Sequence, residues 1–456
     1  MFSIFEKKKN FKYEILAASI LVITVWIYFF HGGSTSLFLF MAAIIGLYMA
    51  INIGANDIAN NMGPAVGSGA INIKGALIIA AIFEAAGAIL AGGDVVNTIS
   101  KGIIDPTLIP DVSQFLAIMM ATLAGAALWV NIATYFKAPV STTHSIVGGL
   151  VGAGITAVGT SIVNWNQIWQ IVASWVISPI MGGIISVILL LSIRKNILKK
   201  DDRGEAAKVW VPIYIGAMVW AFATYMLEKG LHQVLNGTDF ELLIKPEISL
   251  FVGYVIGVLT FIILRIYYKK RSAFFKNSKD FINELFNIPL IFAVALLSFA
   301  HGANDVANAI GPLSAINDTI KNHISAGGVV KIETWVILIG SMGLVLGLAV
   351  FGARLIKTVG NEITKLNQIR AYCVALSAAI TVIVASALGL PVSSTHIALG
   401  GVFGIGLIRQ HIKRKKGNNK EYIDLGMIKN IALAWIITLP VSAFIAGISY
   451  LVIIQF

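Results

Sequence analysis

Long apolar stretches alternate with short polar loops along the whole chain. The apolar stretches lie at about 14–31, 37–62, 73–97, 111–137, 141–160, 165–193, 209–227, 247–268, 286–310, 333–351, 369–390, 392–409 and 427–455. Many of them reach the roughly 20 residues that a membrane-spanning α-helix needs, and the alternating segments of a membrane β-barrel are absent. The pattern predicts an all-α polytopic membrane protein with about 12–13 transmembrane segments.

The composition supports this prediction, since 57% of the 456 residues are hydrophobic and only 12% are charged. Soluble domains carry about 25% charged residues. The net charge of +12 is concentrated in short loops, at 7–9, 194–200, 269–271 and 409–416. Such basic loops mark the cytoplasmic side of a membrane protein, and we favour this interpretation over nucleic-acid binding. The single cysteine, Cys373, excludes an intrachain disulfide and a cysteine-rich metal site.

Two pairs of polar motifs reveal an internal repeat. The first pair lies at 54–64, which reads GANDIANNMGP, and at 302–312, which reads GANDVANAIGP. The second pair lies at 139–144 and 391–396, and two glycines follow each of its members. Because the order is the same and the offsets are near 250 residues, the sequence predicts two copies of one five-segment unit.

The repeat divides the chain into four parts. We expect an N-terminal anchor helix in 1–36, a first repeat in 37–193, central connecting helices and basic loops in 194–285, and a second repeat in 286–456. With the basic N-terminus in the cytoplasm, the count of crossings inverts the second repeat and places the C-terminus outside the inner (plasma) membrane. Inverted repeats are typical of secondary transporters, in which broken helices form a site near the bilayer midplane.

The first motif places carboxylates and carboxamides inside apolar helices, where such groups are costly and usually functional. Asp57 and Asp305 each stand three positions before an asparagine, Asn60 or Asn308, and therefore share a helix face with it. The flanking glycines and prolines predict helix breaks, whose free carbonyls would help the carboxylates to bind Na⁺. The alternative is that small residues pack the helices while polar side chains cap a turn. The predicted cation ligands are Asn56, Asp57, Asn304 and Asp305, with Na⁺ at the two aspartates.

In the second motif a proline precedes consecutive hydroxyl side chains, which is typical of a helix start. The free N–H groups and the positive dipole end of a helix start bind anions. Opposed repeats would point two such ends at one ligand, although the hydroxyls could also serve only as helix caps. The predicted anion contacts are Ser141, Thr142, Thr143, Ser393, Ser394 and Thr395, together with Asn60 and Asn308.

Three further side chains are candidates for coupling transport to an ion gradient. Glu84 is a carboxylate in an apolar run, and His144 and His396 follow the two hydroxyl runs. Each could carry a proton or bind an ion, or could only form a hydrogen bond between helices. A hydrolase built on Ser141 and His144 is disfavoured, because the motif occurs twice and lacks a nucleophile elbow. No catalytic residue is expected.

The doubled motifs, together with Glu84 and residues 101–105, resemble the inorganic phosphate transporter (PiT) family. The resemblance covers both repeats and implies a two-repeat fold, symport of inorganic phosphate with Na⁺ or H⁺, and a homodimer. It places the family's first membrane glutamate on Glu84. The chain departs from the family at Ala375, where a glutamate is frequent. The remaining motif positions of the family fall on Asn56, Asp57, Asn60, Asn304, Asp305, Asn308 and the two hydroxyl runs.

We therefore expect a secondary active symporter that moves inorganic phosphate by alternating access around a midplane site, with Na⁺ or H⁺ as the coupling ion and no cofactor. Sulfate or another tetrahedral oxyanion is the nearest alternative substrate. A passive anion channel is the alternative from another functional class. Matched broken helices favour an occluded site over the continuous polar pore that a channel needs.

Overall fold

The computed structural model describes residues 37–109, 111–136, 140–235, 237–271, 274–322, 332–362, 366–414 and 425–455. The predicted anchor helix in 1–36 and Pro139 of the second motif lie outside these ranges. The long helices are α1 (Leu37–Gly67), α2 (Ile73–Ala91), α3 (Val112–Tyr135), α4 (Thr142–Val158), α5 (Trp165–Ile193), α6 (Arg203–Tyr225), α7 (Pro246–Lys270), α8 (Asn287–Asn322), α9 (Thr334–Glu362), α10 (Gln368–Ala387), α11 (Ser394–Arg414) and α12 (Leu425–Ile453).

The helices form two groups of five, α1–α5 and α8–α12, with α6 and α7 between them. The described ranges contain no strand, only an isolated bridge between Ile104 and Val163. Ten helical segments in these ranges are long and apolar enough to cross a membrane. The prediction of an all-α multi-pass membrane protein is thereby confirmed.

Polar side chains in the loops set where several helices begin. At each of five helix starts, a side-chain oxygen accepts a hydrogen bond from a backbone N–H of the first turn. An N-cap of this kind stabilises a helix by about 1 kcal/mol. Short-range hydrogen bonds therefore help to set where these five helices begin. The five capping residues are Asn72, Asp111, Asn164, Asp202 and Asn367.

The two groups of helices interlock in an inverted arrangement. Helices α1 and α8 run antiparallel, because Gly46 of α1 packs on Leu313 of α8 while Asp57 lies beside His301. Two glycines allow matching close approaches, since Gly54 of α1 touches the carbonyl of Leu344 and Gly302 of α8 touches that of Glu84. A Cβ atom at either glycine would overlap the partner's backbone. Glu84 and Leu344 thus occupy equivalent places in the two repeats.

The positions of the helix breaks correct one expectation from the sequence. Helix α1 continues through the first motif and its Pro64, and α8 continues through the copy and its Pro312. Gly54 and Gly302 serve helix packing, and none of the glycines of this motif breaks the helix. Because proline has no N–H, the carbonyls of Asn60 and Asn308 still lose their intrahelical hydrogen bond, so the prolines free two carbonyls without a break.

The real breaks lie at the second motif, between α3 and α4 and between α10 and α11. Before α11 the chain turns through Gly389, whose φ of 67° favours glycine. The first residues of α4 and α11 are buried, so both helices begin inside the protein. This arrangement brings two helix N-termini to the centre of the molecule.

Candidate functional site

The centre of the protein is a buried cluster of polar side chains from both repeats. Its middle is Asp57 on α1, which is 1% exposed. One carboxylate oxygen of Asp57 accepts a hydrogen bond from Thr142 Oγ1 and the other from Thr395 Oγ1, both at 3.2 Å. Thr142 begins α4 and Thr395 lies at the start of α11, so one aspartate joins both helix starts.

In both copies of the first motif, the asparagine three positions after the aspartate reaches a hydroxyl of the opposite repeat. Asn60 Nδ2 donates to Thr395 Oγ1 at 2.7 Å, and Asn308 Nδ2 lies 3.3 Å from Thr143 Oγ1. Thr143 Oγ1 in turn donates to the carbonyl of Val392, just before α11. The structure thus brings together the residues that the sequence predicted for anion contact. Their arrangement around the centre follows the inverted repeat.

The two asparagines that precede the aspartates hold the broken segments. Asn304 donates to the carbonyl of Leu390 at 3.1 Å and accepts from the N–H of Val392 at 3.1 Å. In the amide orientation that satisfies both of its polar atoms, Asn56 accepts from Thr134 Oγ1 at 2.9 Å and donates to the carbonyl of Val140 at 3.2 Å. Both side chains therefore fix the loops that lead into α4 and α11.

The serines of the second motif divide into two kinds. Ser141 and Ser393 accept hydrogen bonds from the N–H groups of His144 and His396, at 3.1 and 3.4 Å. They act as N-caps, which satisfy one free N–H of each helix start. Ser394 is buried, and its hydroxyl has no hydrogen-bond partner among the described residues.

A histidine that the sequence interpretation missed joins the acidic side chains. His301 on α8 is fully buried, with Nε2 at 3.0 Å from Asp305 Oδ2 and 3.6 Å from Asp57 Oδ2. Its Nδ1 lies 3.3 Å from Glu84 Oε1. The available signal was its spacing, because a histidine four positions before an aspartate shares its helix face. Asp57, His301 and Asp305 offer ligand atoms within 4.8 Å of one another, which is close enough to hold one metal ion.

Several buried oxygens around this histidine have no hydrogen-bond donor among the described residues. On one side these are Glu84 Oε2 and Asn61 Oδ1, although Asn61 Nδ2 donates to the other oxygen of Glu84 at 3.0 Å. On the other side they are Asp305 Oδ1 and Asn308 Oδ1. A buried acceptor without a donor is costly, and a bound cation satisfies it.

The acidic cluster breaks the symmetry of the two repeats. His301 precedes Gly302, and the equivalent position before Gly54 is Ile53. Glu84 contacts His301, whereas its equivalent is Leu344. One repeat interface therefore carries an ionisable pair where the other carries an isoleucine and a leucine.

Comparison with known proteins agrees with these observations. Residues 53–446 match the Phosphate transporter family. The chain belongs to this family. A putative phosphate permease of Helicobacter pylori (strain J99) is 50% identical over 389 residues, which cover 85% of this chain and 72% of the relative. A putative phosphate permease of Pyrococcus abyssi is 39% identical over 90% of this chain and 97% of the relative.

A solved structure is also similar to this phosphate transporter family member. The protein described as "The sodium-dependent phosphate transporter" superposes with a TM-score of 0.83 at 33% identity, covering 92% of this chain and 99% of the other. Membership of this family and the structural similarity establish that the chain is a multi-pass membrane protein of a phosphate transporter family. They confirm the resemblance seen in the sequence.

The two histidines of the second motif lie in an aromatic stack. The rings of His144 and His396 meet edge to face with centroids 4.6 Å apart. Trp175 stacks on His144 at 3.8 Å and Trp435 stacks on His396 at 3.6 Å. The ring nitrogens of both histidines have no hydrogen-bond partner among the described residues. Their prediction as coupling residues stays a prediction, and the visible role is packing of α4 against α11.

Ala375, the departure from the family pattern, is fully buried on α10 among apolar side chains. The acidic side chains that contact His301 are Asp57, Glu84 and Asp305, on α1, α2 and α8.

Proposed function

We propose that this phosphate transporter is a secondary active symporter that carries inorganic phosphate together with Na⁺. The observation that carries the proposal is the double contact of Asp57, whose carboxylate accepts hydrogen bonds from Thr142 and Thr395. The carboxylate of Asp57 thus accepts hydrogen bonds from hydroxyl groups of both repeats, as a bound oxyanion would. The same donors suit phosphate once Asp57 has another partner.

The charge of the site supports cation coupling. Asp57, Asp305 and Glu84 place three carboxylates in a region that is almost fully buried. Two like charges 4 Å apart repel by about 4 kcal/mol at an effective dielectric constant of 20. His301 supplies at most one positive charge, and phosphate adds negative charge. Phosphate therefore needs cations to enter this site with it.

The unpaired oxygens indicate where Na⁺ would bind. A hard cation prefers oxygen ligands, and Asp305 Oδ1 and Asn308 Oδ1 are buried acceptors without a donor. The carbonyl of Asn308, freed by Pro312, adds a third oxygen on the same helix. Na⁺ that also draws the carboxylate of Asp57 would release Thr142 and Thr395 to donate to phosphate. Cation binding would then prepare the anion site, which couples the two gradients.

The inverted repeat supports a mechanism of alternating access. Because α4 and α11 come from opposite repeats and both begin at the site, a change in the packing of one repeat against the other would expose the site to each side in turn. We further propose a homodimer in the inner (plasma) membrane. The basic loops support an orientation with the N-terminus in the cytoplasm and the C-terminus outside.

Uptake of radiolabelled phosphate into proteoliposomes tests the proposal. A Na⁺ gradient and a proton gradient are imposed separately, with unlabelled sulfate as competitor. We expect accumulation driven by Na⁺ and little inhibition by sulfate, since sulfate lacks the hydrogen-bond donor with which hydrogen phosphate can satisfy a carboxylate.

The controls separate this function from its alternatives. The variant Asp111→Asn keeps an N-cap at an exposed position and should transport normally. Accumulation driven only by protons would assign H⁺ as the coupling ion. Equilibration without accumulation would indicate a channel, and preferential uptake of sulfate would replace phosphate as the substrate.

A further inference from the structure

An apolar groove of about 860 Å³ lies between α5 and α11, away from the central site. The two helices run parallel in backbone contact, because Gly400 packs on the carbonyl of Pro179 and Gly404 on that of Gly183. Large side chains form its walls, and Ile188 and Leu407 are 59% and 61% exposed. The groove therefore opens on the outer surface of the helix bundle.

The length of the groove matches one leaflet of a bilayer. Its lining on α11 runs from Gly400 to His411. At a rise of 1.5 Å per residue this stretch is about 16 Å long. The hydrocarbon core of a bilayer is about 30 Å thick, so one leaflet contributes about 15 Å. Trp435 lines the end of the groove that is nearer to the second motif, and its ring also stacks on His396.

Basic side chains follow the lining of the groove on both helices, at the end away from Trp435. His411 lines the groove itself, and Arg414 follows it by three positions in the last turn of α11. On the other helix Lys195 lies in the helical extension Arg194–Leu198, seven positions after the lining residue Ile188. Arg414 and Lys195 are both exposed. No acidic residue occurs in α5, in its extension Arg194–Leu198 or in α11.

We propose that this groove binds an anionic phospholipid, with an acyl chain between α5 and α11 and the phosphate headgroup at Lys195 and Arg414. A one-leaflet apolar channel that ends in basic side chains complements this class of lipid, and basic pockets between membrane helices bind anionic headgroups. The basic end lies on the side that the loop charges assign to the cytoplasm. Bound lipid would contact α11, the helix whose other end holds Thr395 at the central site.

Native mass spectrometry of the full-length protein in detergent tests the proposal. Phosphatidylglycerol and phosphatidylcholine with identical acyl chains are added at equal concentrations. Wild type should retain phosphatidylglycerol preferentially. Since each basic residue contributes roughly fivefold in affinity, Lys195→Gln with Arg414→Gln should reduce that preference by about 25-fold. Leu407→Trp fills the groove and should reduce retention of both lipids.

Matched control variants make the outcome specific. Lys269→Gln with Lys270→Gln removes the same charge at the end of α7, outside the groove. Leu259→Trp adds the same bulk to a side chain of α7 that is also exposed. Both controls should leave lipid retention unchanged. Equal retention of the two lipids by wild type would overturn the proposal. Loss of a dimer in Leu407→Trp with unchanged lipid retention would also overturn it, because it would assign the groove to a second copy of the chain.

Discussion

The contact between Glu84 and His301 gives the sharpest test of the site's electrostatics. Glu84 Oε1 and His301 Nδ1 are 3.3 Å apart, and both side chains are fully buried. At this distance opposite unit charges attract by about 5 kcal/mol at an effective dielectric constant of 20, before the cost of burial. Removing one partner of a buried ion pair costs about 3–5 kcal/mol, because the other charge stays uncompensated.

The two partners should differ in the size of this effect. His301→Gln leaves Glu84, Asp57 and Asp305 without their common partner, whereas Glu84→Gln leaves His301 with the two aspartates. His301→Gln should therefore be the more destabilising single variant. Adding Glu84→Gln to His301→Gln removes one of the three uncompensated carboxylates. We expect the double variant to be more stable than His301→Gln alone.

The thermal unfolding midpoint of purified protein in detergent measures these differences. His232→Gln, on an exposed side chain, is the control and should leave the midpoint unchanged. Sodium chloride should raise the midpoint of His301→Gln more than choline chloride does, because Na⁺ can replace the lost positive charge. Additive effects, with the double variant less stable than either single variant, would refute an ionic contact between Glu84 and His301.

Three further predictions concern transport and packing. Asp57→Asn and Asp305→Asn should each abolish Na⁺-driven phosphate uptake. Both variants should still elute as a folded, monodisperse protein in size-exclusion chromatography. Gradient-driven accumulation of phosphate by either variant would remove that residue from the site. Gly302→Ala should lower the unfolding midpoint strongly, because its Cβ would overlap the backbone of Glu84, whereas Gly63→Ala meets open space and should be neutral or stabilising by about 0.5–1 kcal/mol. Thr395→Val should raise the KM for phosphate by about tenfold, because one hydrogen bond to a charged group is lost. Thr395→Ser keeps the hydroxyl and should have the KM of the wild type. An unchanged KM in Thr395→Val would contradict a contact between Thr395 and phosphate.

Sequence periodicity and motif spacing were sufficient to predict the helical spans and the convergence of the two motifs. Asp57 and Thr395 are 338 residues apart in the chain, yet the inverted repeat implies that their segments meet, and the structure places them in hydrogen-bond contact. This success follows from the topology: two oppositely directed copies must present the same motif to one centre.

The continuity of α1 and α8 through the first motif could not be predicted in the same way. Gly54 and Gly302 look like break points in the sequence, but each is needed because a backbone of the other repeat passes there. The need for a glycine at these positions depends on which helices become neighbours in the fold. A local sequence pattern does not contain this information. His301 was missed for a related reason, since its ionic partner Glu84 comes from another helix.

The asymmetry of the cluster has a consequence for coupling. An inverted repeat with identical halves would hold equal charge at both interfaces, and its inward and outward states would be nearly equivalent. Here Glu84 and His301 occupy one interface, while Leu344 and Ile53 occupy the equivalent places in the other. Movement of one repeat against the other therefore changes the surroundings of an ionic pair on one side only. Ions that bind near His301 would therefore stabilise one state more than the other, by the difference in their affinity for the two states.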